Sequence, residues 1–257
     1  MKVALITIGD ELLSGDVVNT NANWLATQLT DRGVSVAQVV TLPDDRDRIA
    51  THVSEYSETF DGVIVTGGIG GTPDDVTMEA VADAFDRELT ASELTRSAVE
   101  QRVAEIETRL PDREFDVDVE AEAALPERSR PLLNDAGLSP GCVLENVYVL
   151  PGIPDELKAM FATVADEFTG ELRSTHLYTV EPEANIVRTL EEAMERFEVT
   201  VGCYPDREAR HNRLKITAAD DAQLDAASEW LLRTIDASET PVSRDAGDDD
   251  TPDSETN

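Results

Sequence analysis

Val3 to Ile8 reads VALITI, a near-continuous apolar run interrupted by a single threonine. A run of this kind suits a strand buried on both faces, as in a parallel sheet. After a loop, Ala22, Leu25, Ala26 and Leu29 share one helical side, and Gly33 supplies the stop. A second strand is expected over 34–42, a break at Pro43-Asp44-Asp45, a short helix over 49–56 and a third strand over 62–65. Met78, Val81, Ala82 and Phe85 then fall on one face of an amphipathic helix with Thr77 as its expected N-cap. A helix over 93–110 follows, then a polar, proline-punctuated connection through Pro140, one strand over 143–150, a turn at Pro151-Gly152-Ile153-Pro154, and a helix carrying Leu157, Met160, Phe161, Val164 and Phe168. Alternating units of this kind build an α/β fold whose mostly parallel sheet is covered on both faces.

Beyond Gly170 the grammar changes. Strands over 177–180, 199–203 and 214–217 and helices over 184–197 and 222–235 predict a small α+β unit of split β-α-β type. The expected division is 1–170, 171–237 and an acidic, disordered tail over 238–257. Cys142 and Cys203 have neither metal-ligand nor CxxC spacing and are expected to be buried thiols. Gly9-Asp10-Glu11 cuts the N-terminal apolar run before it reaches the length of a signal peptide, and no run approaches the 18 residues of a membrane span. Neither a membrane nor a secretory route is expected.

Charge narrows the partners. The chain of 257 residues holds 54 acidic and 21 basic residues, a net of -33, and the last twenty residues contribute only -6 of it. Three lysines stand beside 18 arginines. Such a surface is suited to high salt, where repulsion is screened, so a halophilic cytoplasm is expected. Duplex nucleic acid is excluded as a natural partner, because phosphate neutralisation needs clustered cations.

The chemistry concentrates in TGGIGGTPDDVT, Thr66 to Thr77. Gly67, Gly68, Gly70 and Gly71 let backbone N-H groups approach an anion, and the helix that follows adds its positive end. The spacing is neither the dinucleotide fingerprint nor a P-loop. Asp74 and Asp75 would repel a phosphate unless a hard cation intervened, and Mg²⁺ typically uses one or two carboxylates plus phosphate oxygens. The competing reading is that one aspartate caps the helix. Asp10-Glu11 follows the first strand and Asp44-Asp45 the second, so three carboxylate pairs are expected at one rim of the sheet, where ligands of open α/β sheets bind. In a chain with acids at about one position in five, position at strand ends carries this expectation, not number.

At these residues the sequence resembles the MoaB/Mog superfamily of molybdopterin-binding domains, most closely its competence/damage-inducible protein A (CinA) branch. The glycine turn is similar to that branch's GGxGPTxDDxT, IGDELLSGDVVNTNANWL to its GDEIL-G...DTN...L, and NVYVLPGIPDELKAMF to its NVFVLPGVPxEMxxMF. Gly71 stands where the pattern has proline, and Pro73 where it has another residue. The stretch to about 236 resembles the branch's small second domain less specifically. The resemblance implies a three-layer αβα fold, a phosphate-rich pterin or nucleotide ligand, and self-association. It implies that Asp75 and Asp44 are the essential aspartates, that Asp10, Asn21, Gly67, Gly68 and Gly70 line the ligand loops, and, with the adjoining Gly71 and Thr72, that these form the binding turn.

Three functions compete on these residues. The leading one is Mg²⁺-dependent hydrolysis of an ADP-ribose- or FAD-like phosphoanhydride, with Asp75, Asp74 and Asp10 holding the metal and Asp44 orienting water. The others are adenylyl transfer to molybdopterin and noncatalytic binding of a pterin or nucleotide. A separate cluster, Arg207, Arg210, His211, Arg213 and Lys215, stands out against the acidic background. It reads either as a solvated hairpin turn or as a phosphate contact.

Overall fold

The opening apolar run is the second strand of a six-stranded sheet. In the computed structural model, residues 1–110 and 116–242 are described, and the chain divides into two compact units, Met1–Gly170 and Glu171–Asn257. The first unit runs β1 (Lys2–Ile8), α1 (Asp10–Ser14), α2 (Thr20–Asp31), β2 (Ser35–Leu42), α3 (Arg46–Thr59), β3 (Gly62–Thr66) and α4 (Thr77–Ala84). An excursion follows: β4 (Leu89–Ala91), α5 (Glu93–Arg109), α6 (Val119–Glu122), β5 (Ala124–Pro126) and β6 (Arg130–Leu132). Finally β7 (Gly141–Leu144), β8 (Val147–Leu150) and α7 (Pro154–Ala162) return to the sheet.

The sheet order is β2-β1-β3-β8-β7-β6. β2, β1, β3 and β8 are parallel neighbours, whereas β7 and β6 are antiparallel. Strand alternation divides the core into two layers. Ala4, Ile6 and Ile8 of β1 face α3 and α4 through Ile49, Val53 and Val81. Val3 and Leu5 face α2 and α7 through Leu25, Leu29 and Phe161. A sheet wrapped on both faces in this way has fully buried central strands, and every residue of β3 is buried. The α/β class, the three layers and the mostly parallel sheet are therefore present.

Four local expectations are corrected. The apolar stretch 143–150 is a hairpin, not one strand: Glu145, at φ 52°, and Asn146 form its turn. Asn146 pins that turn by donating to the carbonyls of Ser57 and Phe60 at 3.0 and 2.9 Å. Thr77 is not the N-cap of α4, a position held by Val76 with no side-chain bond. The Thr77 hydroxyl instead donates to the Gly67 carbonyl at 2.8 Å. The connection before Pro140 carries its own helix and two short strands, and α5 opens with a Ser92–Thr95 capping box. The helix expected to include Val164 and Phe168 ends at Ala162, and a 3-10 turn over Ala165–Glu167 delivers both side chains to the core.

The second unit runs β9 (Arg173–Thr179), α8 (Glu183–Arg196), β10 (Thr200–Asp206), β11 (His211–Ala218), α9 (Asp221–Thr234) and β12 (Ala237–Ser238). Its antiparallel sheet has the order β10-β11-β9-β12, so β11 lies between the β9 and β10 that α8 connects, as a split β-α-β unit requires. Ser238, expected to begin a disordered tail, pairs with Tyr178. The tail beyond 242 lies outside the described residues.

Candidate functional site

Four parallel strands end at one rim. β1 leads to Gly9, β2 to Pro43-Asp44, β3 to Gly67 and β8 to Pro151. Because β2 and β3 flank β1 on opposite sides, the crevice between the ends of β1 and β3 is a topological switch point. The glycines are required there. At Gly67, φ is 103°, and a Cβ would meet the Ile8 carbonyl oxygen at 2.3 Å. At Gly68, φ is 64°, and a Cβ would meet the Thr77 hydroxyl at 2.6 Å. Any larger residue at Gly67 must push β3 off the end of β1.

The turn is clamped from behind and open in front. Gly67 N-H donates to the Leu150 carbonyl, Thr77 N-H donates to the Gly68 carbonyl, and the Thr66 hydroxyl donates to the Pro151 carbonyl at 2.7 Å. By contrast, the N-H groups of Gly68, Ile69, Gly70 and Gly71 have no hydrogen-bond partner among the described residues. Consecutive unengaged amides in a turn are donors suited to an anion.

In front of them lies a cavity of about 450 Å³ lined by Gly68, Gly70, Asp44, Asp74, Asp75 and the 151–154 loop. Asp44 is central. It accepts the Asp10 backbone N-H at 2.8 Å, and burial raises its pKa, opposed by that hydrogen bond and reinforced by the charges of Asp10, Glu11 and Asp74. Three strand ends thus bring their acids within electrostatic reach of one another. The partner aspartate of each pair can differ in role: Asp45 caps α3 by accepting from Arg48 N-H at 3.0 Å.

The remaining predicted residues separate. Asp75 turns back on its own loop, accepting from Thr72 N-H at 3.0 Å and from the Thr72 hydroxyl at 2.6 Å. Asn21 lies beside a second cavity of about 90 Å³ and donates to the Gly152 carbonyl at 2.6 Å, bracing the 151–154 loop. Gly71 faces Glu122, whose carboxylate oxygen stands 2.9 Å from where a Cβ would be. Arg46 belongs to the surface, held by Asp83 at 2.5 and 2.8 Å.

Three site residues escape sequence reasoning. Glu122 and Ser139, hydrogen-bonded to each other, come from the excursion between α4 and β7. Burial raises the Glu122 pKa, the Ser139 bond lowers it, and the charge of Asp75 raises it further. Glu156, in the first turn of α7, lines the main cavity and accepts from Asn134 at 2.8 Å. No spacing rule links these positions to the glycine turn.

No lysine or arginine lines the main cavity, so its carboxylates lack a protein counter-charge. The oxygen-only donor set fits a hard divalent cation. Among the described residues, however, no group of three or more His, Cys, Asp or Glu forms a metal-holding cluster. Asp10, Asp74 and Asp75 do not make a closed cage, and phosphate oxygens would have to complete the coordination.

Comparison with known proteins now places the chain. A family model described as a probable molybdopterin binding domain matches residues 4–170. The chain belongs to this family. Residues 171–241 match a second model, FAD synthase, middle domain. A protein of Archaeoglobus fulgidus is 37% identical over 207 residues, covering 80% of this chain and 86% of its own length. A CinA-like protein of Frankia casuarinae is 39% identical over 170 residues, 63% of this chain but 38% of the relative. Among solved structures, CinA of Thermoplasma acidophilum has 28% identity and a TM-score of 0.57, covering 66% of this chain and 99% of its own. The family match thus spans the first unit, which carries the glycine rim.

Proposed function

We propose that the molybdopterin-binding domain is a Mg²⁺-dependent nucleotide pyrophosphatase acting on ADP-ribose- or FAD-like phosphoanhydrides. The observation that carries this reading is the pairing of three unengaged amides, those of Gly68, Ile69 and Gly70, with an uncompensated acidic wall around one 450 Å³ cavity. Amides alone suit any anion, and acids alone repel one. Both together suit an oligophosphate that arrives with a cation. The match of the second unit to a FAD synthase middle domain supports a dinucleotide ligand.

Each group then has a task. Backbone N-H groups of Gly68, Ile69 and Gly70 bind phosphoryl oxygens and stabilise the charge that grows on them. Asp75, with Asp74 beside it, would hold the cation; when bound, such an ion polarises a phosphoryl oxygen and lowers the pKa of coordinated water. Thr72 fixes the Asp75 carboxylate in orientation. Asp44, anchored by the Asp10 amide, orients a water toward the phosphorus.

The test incubates the purified chain with ADP-ribose or FAD and Mg²⁺ in molar KCl and follows AMP release. Release abolished by Asp75→Asn supports the proposal; no release with any divalent metal counts against it. The family match also favours a pterin acceptor in place of water. Formation of adenylylated molybdopterin from ATP, without AMP release from ADP-ribose, would select that second reading.

A further inference from the structure

The second unit has one covered and one open sheet face. Leu177, Leu214 and Ile216 pack with Ile186, Leu190, Ala227 and Leu231 of α8 and α9. The opposite face carries Tyr204, Arg213 and Tyr178 in direct register across β10, β11 and β9. Gly202, Lys215 and His176 form the next row, and Asp206 and His211 the row on the other side. An open cavity of about 700 Å³ lies here, lined by Tyr178, Tyr204, Arg207, Glu208, His211 and Arg213 among others.

Its charge is anomalous. In a chain with 54 acidic residues, Arg207, Arg210, Arg213 and Lys215 form no ion pair among the described residues. Asp206, the acid closest in register, accepts from Glu208 N-H at 3.0 Å and Ala209 N-H at 2.9 Å, closing the hairpin turn, and its charge is felt by His211 and Arg213 without an ion pair. The rings are equally specific. The Arg213 guanidinium lies 5.6 Å from the Tyr204 ring centroid, and His211 meets Tyr178 edge-on at 5.2 Å. His211 Nδ1 lies 2.6 Å from the Val242 carbonyl. A carbonyl only accepts, so Nδ1 carries the proton and Nε2 is the acceptor in the neutral ring.

We propose that this face of the second unit is a binding site, taking a small nucleotide whose phosphates contact Arg207 and Arg213 and whose base stacks on the Tyr204–Arg213 surface beside Tyr178. Bases stack on aromatic rings and on arginine planes alike. Arginine also matches phosphate oxygens in bidentate geometry. A polyanion is disfavoured, because a long strand would run out over a chain of net charge -33.

The probe is ADP, titrated into the full chain by calorimetry in EDTA, so that no divalent cation assists the rim of the first unit. Arg213→Gln and Tyr204→Leu, both at exposed positions, are compared with Asp75→Asn, folding being checked by circular dichroism. Saturable binding weakened about tenfold or more by Arg213→Gln and Tyr204→Leu, and unchanged by Asp75→Asn, supports the site; tenfold corresponds to about 1.4 kcal/mol. Absence of saturable ADP binding overturns it, as does binding indifferent to both substitutions. A single-stranded oligonucleotide binding more tightly than ADP overturns the assignment to a small ligand. The outcome is independent of AMP release in the pyrophosphatase assay, so either proposal can fail alone.

Discussion

At the scale of single residues, Asp44 holds its charge at a cost. Burial and three neighbouring acids raise its pKa, so its ionised form is disfavoured in the folded state. Asp44→Asn keeps an acceptor for the Asp10 amide and removes the repulsion. In EDTA at pH 7 it should therefore stabilise the fold by about 0.5 kcal/mol after solvent screening, while abolishing turnover with Mg²⁺ present. The sign follows from linkage: wild type regains the difference as pH falls through the raised folded pKa, and the two proteins should unfold alike below the unfolded value of 3.8. Urea midpoints at pH 7 and pH 3 check this, and a destabilised Asp44→Asn at pH 7 refutes it. Gly67 adds a second residue-scale expectation. With the Ile8 carbonyl 2.3 Å from its absent Cβ, a randomised codon at 67 should return glycine alone among folded clones. At Gly71, where only the flexible Glu122 carboxylate interferes at 2.9 Å, small residues should persist. Sequencing the folded fraction of both libraries decides it.

At the scale of elements, the β7–β8 hairpin shows what the amino-acid string conceals. Its turn is Glu145-Asn146, with no glycine to mark it, and Glu145 is held at φ 52°. Replacing it with glycine should raise stability by about 1 kcal/mol, read from thermal or urea unfolding; no gain would mean the turn carries no strain. The central strands β1 and β3 were legible because their residues are almost wholly apolar, a property of burial on both faces. Asp44 and the glycine turn were legible because they sit directly at strand ends. Glu122 and Ser139 were not, because α6 and the loop before β7 owe their place at the rim to an excursion whose return path no periodicity records. Thr77 shows the same limit on a smaller scale: its position suited a cap, but the Gly67 carbonyl competed for its hydroxyl and won.

At the scale of the whole molecule, the net charge of -33 must be carried without mutual repulsion unfolding the chain. Raising KCl from 0.1 to 1 M shortens the screening length from about 10 to 3 Å. The midpoint of thermal unfolding should climb across that range, and a flat or falling profile would remove the inference of adaptation to salt. Among the described residues no helix is long and apolar enough to cross a membrane. The rim has one more consequence. Its walls are drawn from residues 8, 9, 11, 44, 67–70, 74, 75, 139, 151–154 and 156, so no early stretch of the polypeptide contains a working portion. A chain emerging from the ribosome has nothing to offer a ligand until its 150th residue pairs beside the 66th. Ligand capture is therefore a late event in folding, and ligand added to a translation reaction can protect only chains that have passed that point.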